Sequence, residues 1–486
     1  MTSEKLKKAR EYMARESEDQ PYFHLTGGTG WINDPNGFSV YQNRYHLFYQ
    51  HNPYDVAWGN IHWGHACTDD FVTWERLPEA MAPDQPYDGA GCFSGSAVET
   101  DDGKHLLVYT GVRKVTDASG ETTEYQQQCI AVGDGVNYEK YELNPVIRTE
   151  DIPEGHNLSD FRDPKIWKES GTYYLVVGSR GADGSGVILR YCSRDGLAWK
   201  YDGIVEECRN EIGKMWECPD YFALDGKQVL LFSPQEVAEG NPEFRIGFNT
   251  VAMTGSTDDK TRRFLREHVQ AVDYGFEFYA PQTTETKDGR RIMTAWMYDW
   301  AVMGEIKSDR KWNGQMILPR ELSVRNGRLC QRPVREIENY YGECTGYPQT
   351  QIADFPQISS SCMDLSIKVR HAETCFRRLT MHITEDAQNE LLLTYVPSDN
   401  AVILVHKEHG APHDRISERR FSVSDRGGDM DLRILIDKFS AEIFINDGEQ
   451  TVTAETGNHS EVKTISFSCE GDALISGVKH DLQFGS

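Results

Sequence analysis

At 486 residues the chain is too long for one typical core, and a prior of one domain per roughly 150 residues leaves room for two to four. Asp and Glu total 76 against 51 Lys and Arg, a formal charge of −25, which excludes nucleic acid and anionic membrane surfaces as main partners because phosphate contacts need clustered cations. The 11 cysteines are odd in number and lack CxxC or zinc-type spacing, so they read as reduced thiols of a cytoplasmic protein.

Residues 1–20 are charged, with Leu6, Ala9 and Met13 at helical spacing, which predicts a short amphipathic helix and not the apolar core of a signal peptide. No apolar run is long enough to span a bilayer as a helix. The glycosylation-type triplets at Asn157 and Asn458 would matter only after secretion and are set aside.

From about residue 30 the chain reads as short strands separated by Gly, Asp and Asn turns, an all-β pattern. One unit recurs, starting near residues 31, 92, 161, 216 and 278, roughly 55 to 70 residues apart, a period that suits propeller blades of about four strands each. Five units predict a five-bladed β-propeller over residues 21–330. In such a ring the equivalent early strand of every blade borders the central channel. Aligned on their prolines, Asp34, Asp163 and Glu217 fall at or near one common position in units one, three and four, so three carboxylates distant in sequence are expected to meet in one pocket.

Residues 331–344 read as a linker. Beyond it, segments such as NELLLTYV, LRILID and AEIFIN alternate apolar and polar residues, and Asn446-Asp447-Gly448 is a hairpin signal, so residues 345–486 are expected to form a β-sandwich.

A protonated and an ionised carboxyl facing each other are the equipment for cleaving a glycosidic bond. Aromatic and hydrogen-bonding side chains suited to a sugar accompany them in or beside the expected channel segments: Trp31, Trp58, Trp63, Phe93, Trp216, Tyr279 and Trp296, with Asn33, Gln50, Ser94 and Arg162. Trp63, Trp74, Trp167 and Trp199 are read as blade packing. His46, His51, His62 and His65 alternate along apolar strands and are read as packing residues, Asp69, Asp70, Asp101 and Asp102 as turn residues, so no metal or cofactor is expected.

Four ordered motifs, WINDPNG at 31–37, FSGS at 93–96, FRDPK at 161–165 and WECPD at 216–220, resemble those of glycoside hydrolase family 32, the family of invertases, β-fructofuranosidases, sucrose-6-phosphate hydrolases and fructanases. The resemblance runs on through FYAPQ and LPREL into DKFSAEIFINDGE, covering nearly the whole chain, and the family's propeller joined to a β-sandwich matches the architecture expected from the repeats. It implies that Asp34 is the nucleophile on a β-fructofuranosyl unit, that Glu217 is the general acid and base, and that Asp163, beside Arg162, holds fructose hydroxyls. Asn33, Gln50, Trp58, Phe93, Ser94, Tyr279 and Trp296 match positions that shape the fructose subsite. A retaining mechanism needs its two carboxyls roughly 5 to 5.5 Å apart. Ionised Asp34 and Asp163 are expected to raise the pKa of Glu217. Ile32 stands where the family usually has Met, and the stretch before Trp31 is less basic than in many bacterial sucrose-6-phosphate hydrolases. A fructosyltransferase, a five-bladed arabinan or xylan hydrolase and a non-catalytic sugar-binding protein are the alternatives. Arg113, Lys165, Arg180, Lys214 and Arg310 are the basic residues considered for the leaving-group side. Oligomeric state is left open.

Overall fold

The computed structural model describes residues 3–485 apart from 14–16, 18, 304–309, 374, 411–413 and 458. Part of the expected N-terminal segment and Asn458 of the second triplet therefore lie outside the described residues. The expected helix runs over Glu4–Met13 and buries Leu6 and Ala9. Lys5 Nζ donates to Pro83 O at 2.6 Å and Arg10 Nη2 to Glu79 O at 2.9 Å, which fixes the helix against the outer edge of the first sheet.

Five small sheets follow in chain order. Their first strands are Gly30–Tyr41, Gly91–Glu99, Phe161–Glu169, Trp216–Leu224 and Tyr279–Glu285, and each leads outward through antiparallel neighbours. These five strands pack against one another in sequence, and the Tyr279–Glu285 strand returns to the Gly30–Tyr41 strand, which closes a ring. The ring is locked where Trp312–Asn313, late in the chain, pairs in parallel with Gly30 and Trp31. Sheets ringed in this way bury both faces of their inner strands, and nearly every residue of Gly30–Tyr41 is buried.

The segment expected as a linker contains the end of a strand at Pro333, a 3-10 turn at Arg335–Tyr340 and the start of the next strand at Tyr341. Two six-stranded antiparallel sheets follow, and their alternating apolar residues, such as Leu365 and Ile434 on one and Leu393 and Leu404 on the other, share one core. The hairpin expected at Asn446-Asp447-Gly448 joins Ser440–Ile445 to Gln450–Glu455, with all three turn residues at positive φ. Gly448 is required there twice over: its φ is +77°, and a Cβ would lie 1.5 Å from Gln331 O, because the turn docks on the ring through Gln331 N to Gly448 O at 3.0 Å.

The junction between the two halves carries a buried charge network. Arg320, fully buried, donates to Asp273 Oδ2 at 2.9 Å and to Glu442 Oε2 at 2.5 Å. His24 Nδ1 meets Asp437 Oδ2 at 2.7 Å and its Nε2 meets Glu442 Oε1 at 2.8 Å. Buried charges persist where they are paired and fully hydrogen-bonded, as these are.

Candidate active site

Each of the five inner strands slips register at its channel end. The shifts fall between Ile32 and Pro35, Phe93 and Gly95, Arg162 and Lys165 against the next strand, Glu217 and Asp220, and Tyr279 and Gln282. Four of the five contain a proline, which cannot donate a ladder hydrogen bond and so favours a bulge. A bulge re-aims the side chains beside it.

The residues before three of those prolines, Asp163, Cys218 and Ala280, have φ of +68°, +49° and +53°. Such backbone costs about 1–3 kcal/mol per residue unless its surroundings hold it. Here each strained amide is caught by a side chain of the preceding sheet: Asp163 N donates to Thr110 Oγ1 at 2.9 Å, Cys218 N to Asp163 Oδ2 at 3.0 Å, and Ala280 N to Ser233 Oγ at 3.1 Å. The bulges are thus tied sheet to sheet around the channel.

Asp34 is buried and accepts from Ser94 Oγ at 2.6 Å, Gln50 Nε2 at 3.1 Å and Asn33 Nδ2 at 3.2 Å. Asn33 is itself oriented by Trp31 Nε1, which donates to its Oδ1 at 2.8 Å. Gln50 also touches Ser94. On the other side, Glu217 Oε1 accepts from Arg162 Nε at 2.9 Å and Oε2 from Tyr279 OH at 2.7 Å. Arg162 is held by Asp160 Oδ1 at 2.8 Å and Gln126 Oε1 at 3.1 Å. Between the two groups the Cys218 thiol lies 3.6 Å from both Asp34 Oδ2 and Asp163 Oδ2. Burial, reinforced by those carboxylates, drives this thiol far above its ordinary pKa, so it stays a protonated donor.

Burial first, and the charge of Glu217 second, raise the Asp34 carboxyl to about 6, against the hydrogen bonds from Ser94, Asn33 and Cys218. The same two causes push Asp163 up to about 7, against the Arg162 guanidinium. Enclosure of the two aspartates is what lets the charge of Glu217 act on them.

Residues 24–333 match the N-terminal domain of glycosyl hydrolases family 32, and residues 338–480 match the C-terminal domain of the same family. The chain belongs to glycosyl hydrolase family 32. It is 34% identical to the raffinose invertase of Escherichia coli over 466 residues, 94% of this chain and 93% of that protein. It is also 34% identical to an Escherichia coli sucrose-6-phosphate hydrolase over 486 residues, 98% of each. Among solved structures, a Bombyx mori GH32 beta-fructofuranosidase in complex with sucrose superposes with a TM-score of 0.85 at 28% identity, covering 99% of both chains. The sucrose-6-phosphate hydrolase of Lactobacillus gasseri superposes at 0.79 and 26% identity, covering 99% of this chain and 97% of that one.

Of the subsite residues expected in this family 32 chain, Asn33, Gln50, Ser94, Arg162 and Tyr279 gather around the three carboxylates. Trp58, 43% exposed, meets Phe93 edge-on at 6.1 Å on the rim. Trp296 is fully buried, 5.5 Å from Trp31 and stacked on Tyr298 at 4.9 Å. Trp63 packs as expected, with Nε1 on Phe93 O at 3.1 Å.

The basic candidates separate. Arg180 joins the site's edge through Asp160 at 3.0 Å. Lys165 is consumed below the carboxylates by Asp220 at 2.9 Å and Thr283 O at 2.6 Å. Arg310 lies at the junction with the second half, on Glu455 at 3.0 Å, and Arg113 lies over the Tyr125 ring at 4.5 Å. The first-sheet histidines have protein partners: His46 Nδ1 meets His65 Nε2 at 3.0 Å, His51 meets Glu79, and His62 Nδ1 meets Asn60 O at 2.5 Å. A group with ligand-like spacing, Glu277, His406 and Glu408, is bridged by Arg415, at 3.2 Å from Glu277 and 2.6 Å from Glu408. Cys218, Thr110 and Ser233 were missed in the sequence. For Cys218 a signal existed, since it precedes its proline as Asp163 precedes Pro164.

Proposed function

We propose that the protein is a retaining β-fructofuranosidase that hydrolyses terminal β-D-fructofuranosides of sucrose, sucrose 6-phosphate or short fructo-oligosaccharides. The observation that carries this reading is the placement of Asp34 and Asp163 on one protonated thiol, with Glu217 held opposite by Arg162 and Tyr279. In this reading a carboxylate oxygen of Asp34 attacks the anomeric carbon. The glycosidic C–O bond breaks, and its electron pair goes to the leaving oxygen, which takes a proton from Glu217. Water then displaces Asp34, giving its proton to Glu217. Asp163 accepts fructose hydroxyls and balances the charge of the oxocarbenium-like transition state.

The elevated aspartates give the reading a proton economy. Hydroxyls that donate to Asp163 favour its ionised form. A substrate whose hydroxyls donate there therefore lowers the Asp163 pKa from its raised value. Such coupled groups titrate as a set.

We read the five sheets as five propeller blades over residues 21–330 and the two six-stranded sheets as a β-sandwich over 345–486, joined through 331–344. The cysteines, unpaired across the described residues, support a reducing, cytoplasmic setting. The deciding experiment compares turnover of sucrose, sucrose 6-phosphate and 1-kestose by the purified protein. Release of fructose from at least one is expected, and no release from any of them overturns the reading.

A further inference from the structure

The second half of the chain supplies none of the three carboxylates, yet one of its strands holds the segments beside them. Arg415–Ser422 is an edge strand of its six-stranded sheet, and Arg415 and Arg419, four residues apart, project from one face of it. Arg419 Nη2 donates to Glu243 O at 2.9 Å and Nη1 to Asp273 O at 3.3 Å. Arg415 Nη1 lies 3.6 Å from Asp299 Oδ2, while Nη2 donates to Glu277 Oε1 at 3.2 Å and Nε to Glu408 Oε2 at 2.6 Å.

The two ring segments gripped in this way each carry a half-buried aromatic residue. Glu243 lies in the loop that leads to Phe248, and Asp299 immediately precedes Trp300. Asp299 caps the 3-10 turn Trp300–Val302, its Oδ1 accepting from Ala301 N at 3.1 Å. Arg245 then fastens turn to loop: Nη2 donates to Asp299 Oδ1 at 3.1 Å, Nη1 to Oδ2 at 3.3 Å, and Nε to Phe248 O at 2.7 Å. A guanidinium that grips both oxygens of a carboxylate fixes orientation as well as distance.

The rings so held lie on the acid's side of the site. Phe248 and Trp300 are 6.3 Å apart, and each meets the Tyr279 ring edge-on, at 5.9 and 6.4 Å. Trp31, Tyr279 and Trp296 of the same cluster are buried, so Phe248 and Trp300 form its open side. Tyr279 OH donates to Glu217 Oε2, and Glu217 is the group that protonates the leaving oxygen in the mechanism above. Partly open aromatic rings at that place suit the apolar C–H face of a sugar.

We propose that Phe248 and Trp300 form the platform on which the leaving sugar rests, and that Arg415, with Arg419, is a positioning residue through which the second half of the chain sets that platform. The inference rests on the fructosidase reading and adds to it the contact made by the departing unit.

The test compares kcat/KM on two substrates. One is whichever of sucrose and sucrose 6-phosphate the parent hydrolyses faster; the other is β-D-fructofuranosyl fluoride, whose leaving fluoride has no sugar face to stack. Trp300→Ala removes part of the platform, and Arg415→Gln removes the charge behind it. Thermal melting checks that each variant is folded, and Arg415→Lys, which keeps the charge without the three-way reach, takes the place of Arg415→Gln if that variant does not fold. We expect Trp300→Ala to lower kcat/KM on the sugar substrate about 3–10-fold more than on the fluoride. Arg415→Gln should show the same bias at about 3-fold, mainly through KM. Equal losses on the two substrates in folded Trp300→Ala overturn the platform, and equal losses in the folded Arg415 variant overturn the positioning role of the second half. A parent that hydrolyses neither substrate overturns the fructosidase reading itself, an outcome distinct from a loss of bias between them.

Discussion

Arg162 Nε donates to Glu217 Oε1 at 2.9 Å, joining the inner strands of two neighbouring sheets across the channel. The same guanidinium is the main opposition to the rise of the Asp163 pKa. Arg162 therefore sets two carboxyls at once. Arg162→Lys keeps the charge but cannot reproduce a fork that reaches Glu217, Asp160 and Gln126 together. We expect kcat/KM on the best substrate to fall about 10²-fold, with the acid limb of the pH profile moving upward as the lysine ammonium no longer holds the guanidinium's place beside Asp163. A profile that merely scales down without moving removes Arg162 from control of Asp163.

Glu217→Ala removes the proposed acid and base while leaving Asp34 with its partners. Loss of general acid–base help is worth roughly 10²–10⁴-fold in kcat. On a substrate whose leaving group needs no protonation, azide should restore part of the turnover and yield a fructosyl azide of retained configuration. Full sucrose hydrolysis by this variant, or an azide of inverted configuration, contradicts the assignment.

The proline motifs made much of the site legible. Proline is a local signal: it withdraws one ladder hydrogen bond wherever it stands, so Asp34, Asp163 and Glu217 could be aligned without knowing the fold. What escaped depended on neighbours distant in the chain. Trp296 matches a subsite position, and its ring is enclosed by Trp31, Tyr298 and Trp300 from other parts of the chain. Arg310 could have faced the channel, but its partner Glu455 lies 145 residues on. The rise of the Asp34 and Asp163 pKa values was also hidden, because it follows first from how deeply each carboxyl is enclosed, and enclosure is assembled by all five sheets.

The rim shows another relation that no motif announces. Tyr54 OH donates to Lys5 O of the N-terminal helix at 3.4 Å, and its ring meets Tyr12 edge-on at 5.1 Å, so the helix holds the loop that carries Trp58. Tyr54→Ala should raise KM about 3–10-fold through a displaced Trp58 and leave kcat within twofold, since no carboxylate contact changes. A fall in kcat with constant KM argues against this linkage.

Asp163 should also weigh on stability. A carboxyl raised from 3.8 to about 7 by burial, Glu217 and Asp34 binds its proton more tightly when folded. Its burden on folding is absent below the unfolded value and complete once pH exceeds the folded one. Asp163→Asn should therefore gain stability over the parent as pH rises from 4 to 8, by about 2–4 kcal/mol, while losing turnover. Parallel stability curves across that range would refute it.

The junction titrates in the opposite sense. Burial alone would push His24 down, but the hydrogen bonds and charges of Asp437 and Glu442 outweigh it and raise the imidazole to about 9. A raised histidine stabilises fully below its unfolded value near 6.5 and loses that contribution as pH climbs through its folded value. Burial opposes Asp437 and Glu442 as well, yet His24 holds Asp437 below its usual range, and Arg320 with His24 does so for Glu442; their contributions are lost on the acid side. Stability measured by denaturant should thus be highest between the carboxylate and imidazole windows and fall by about 2–3 kcal/mol between pH 6.5 and 9. His24→Gln should remove that alkaline decline and lower stability most at pH 6, where the parent imidazolium is fully paired. A variant that keeps the decline locates the titrating group elsewhere.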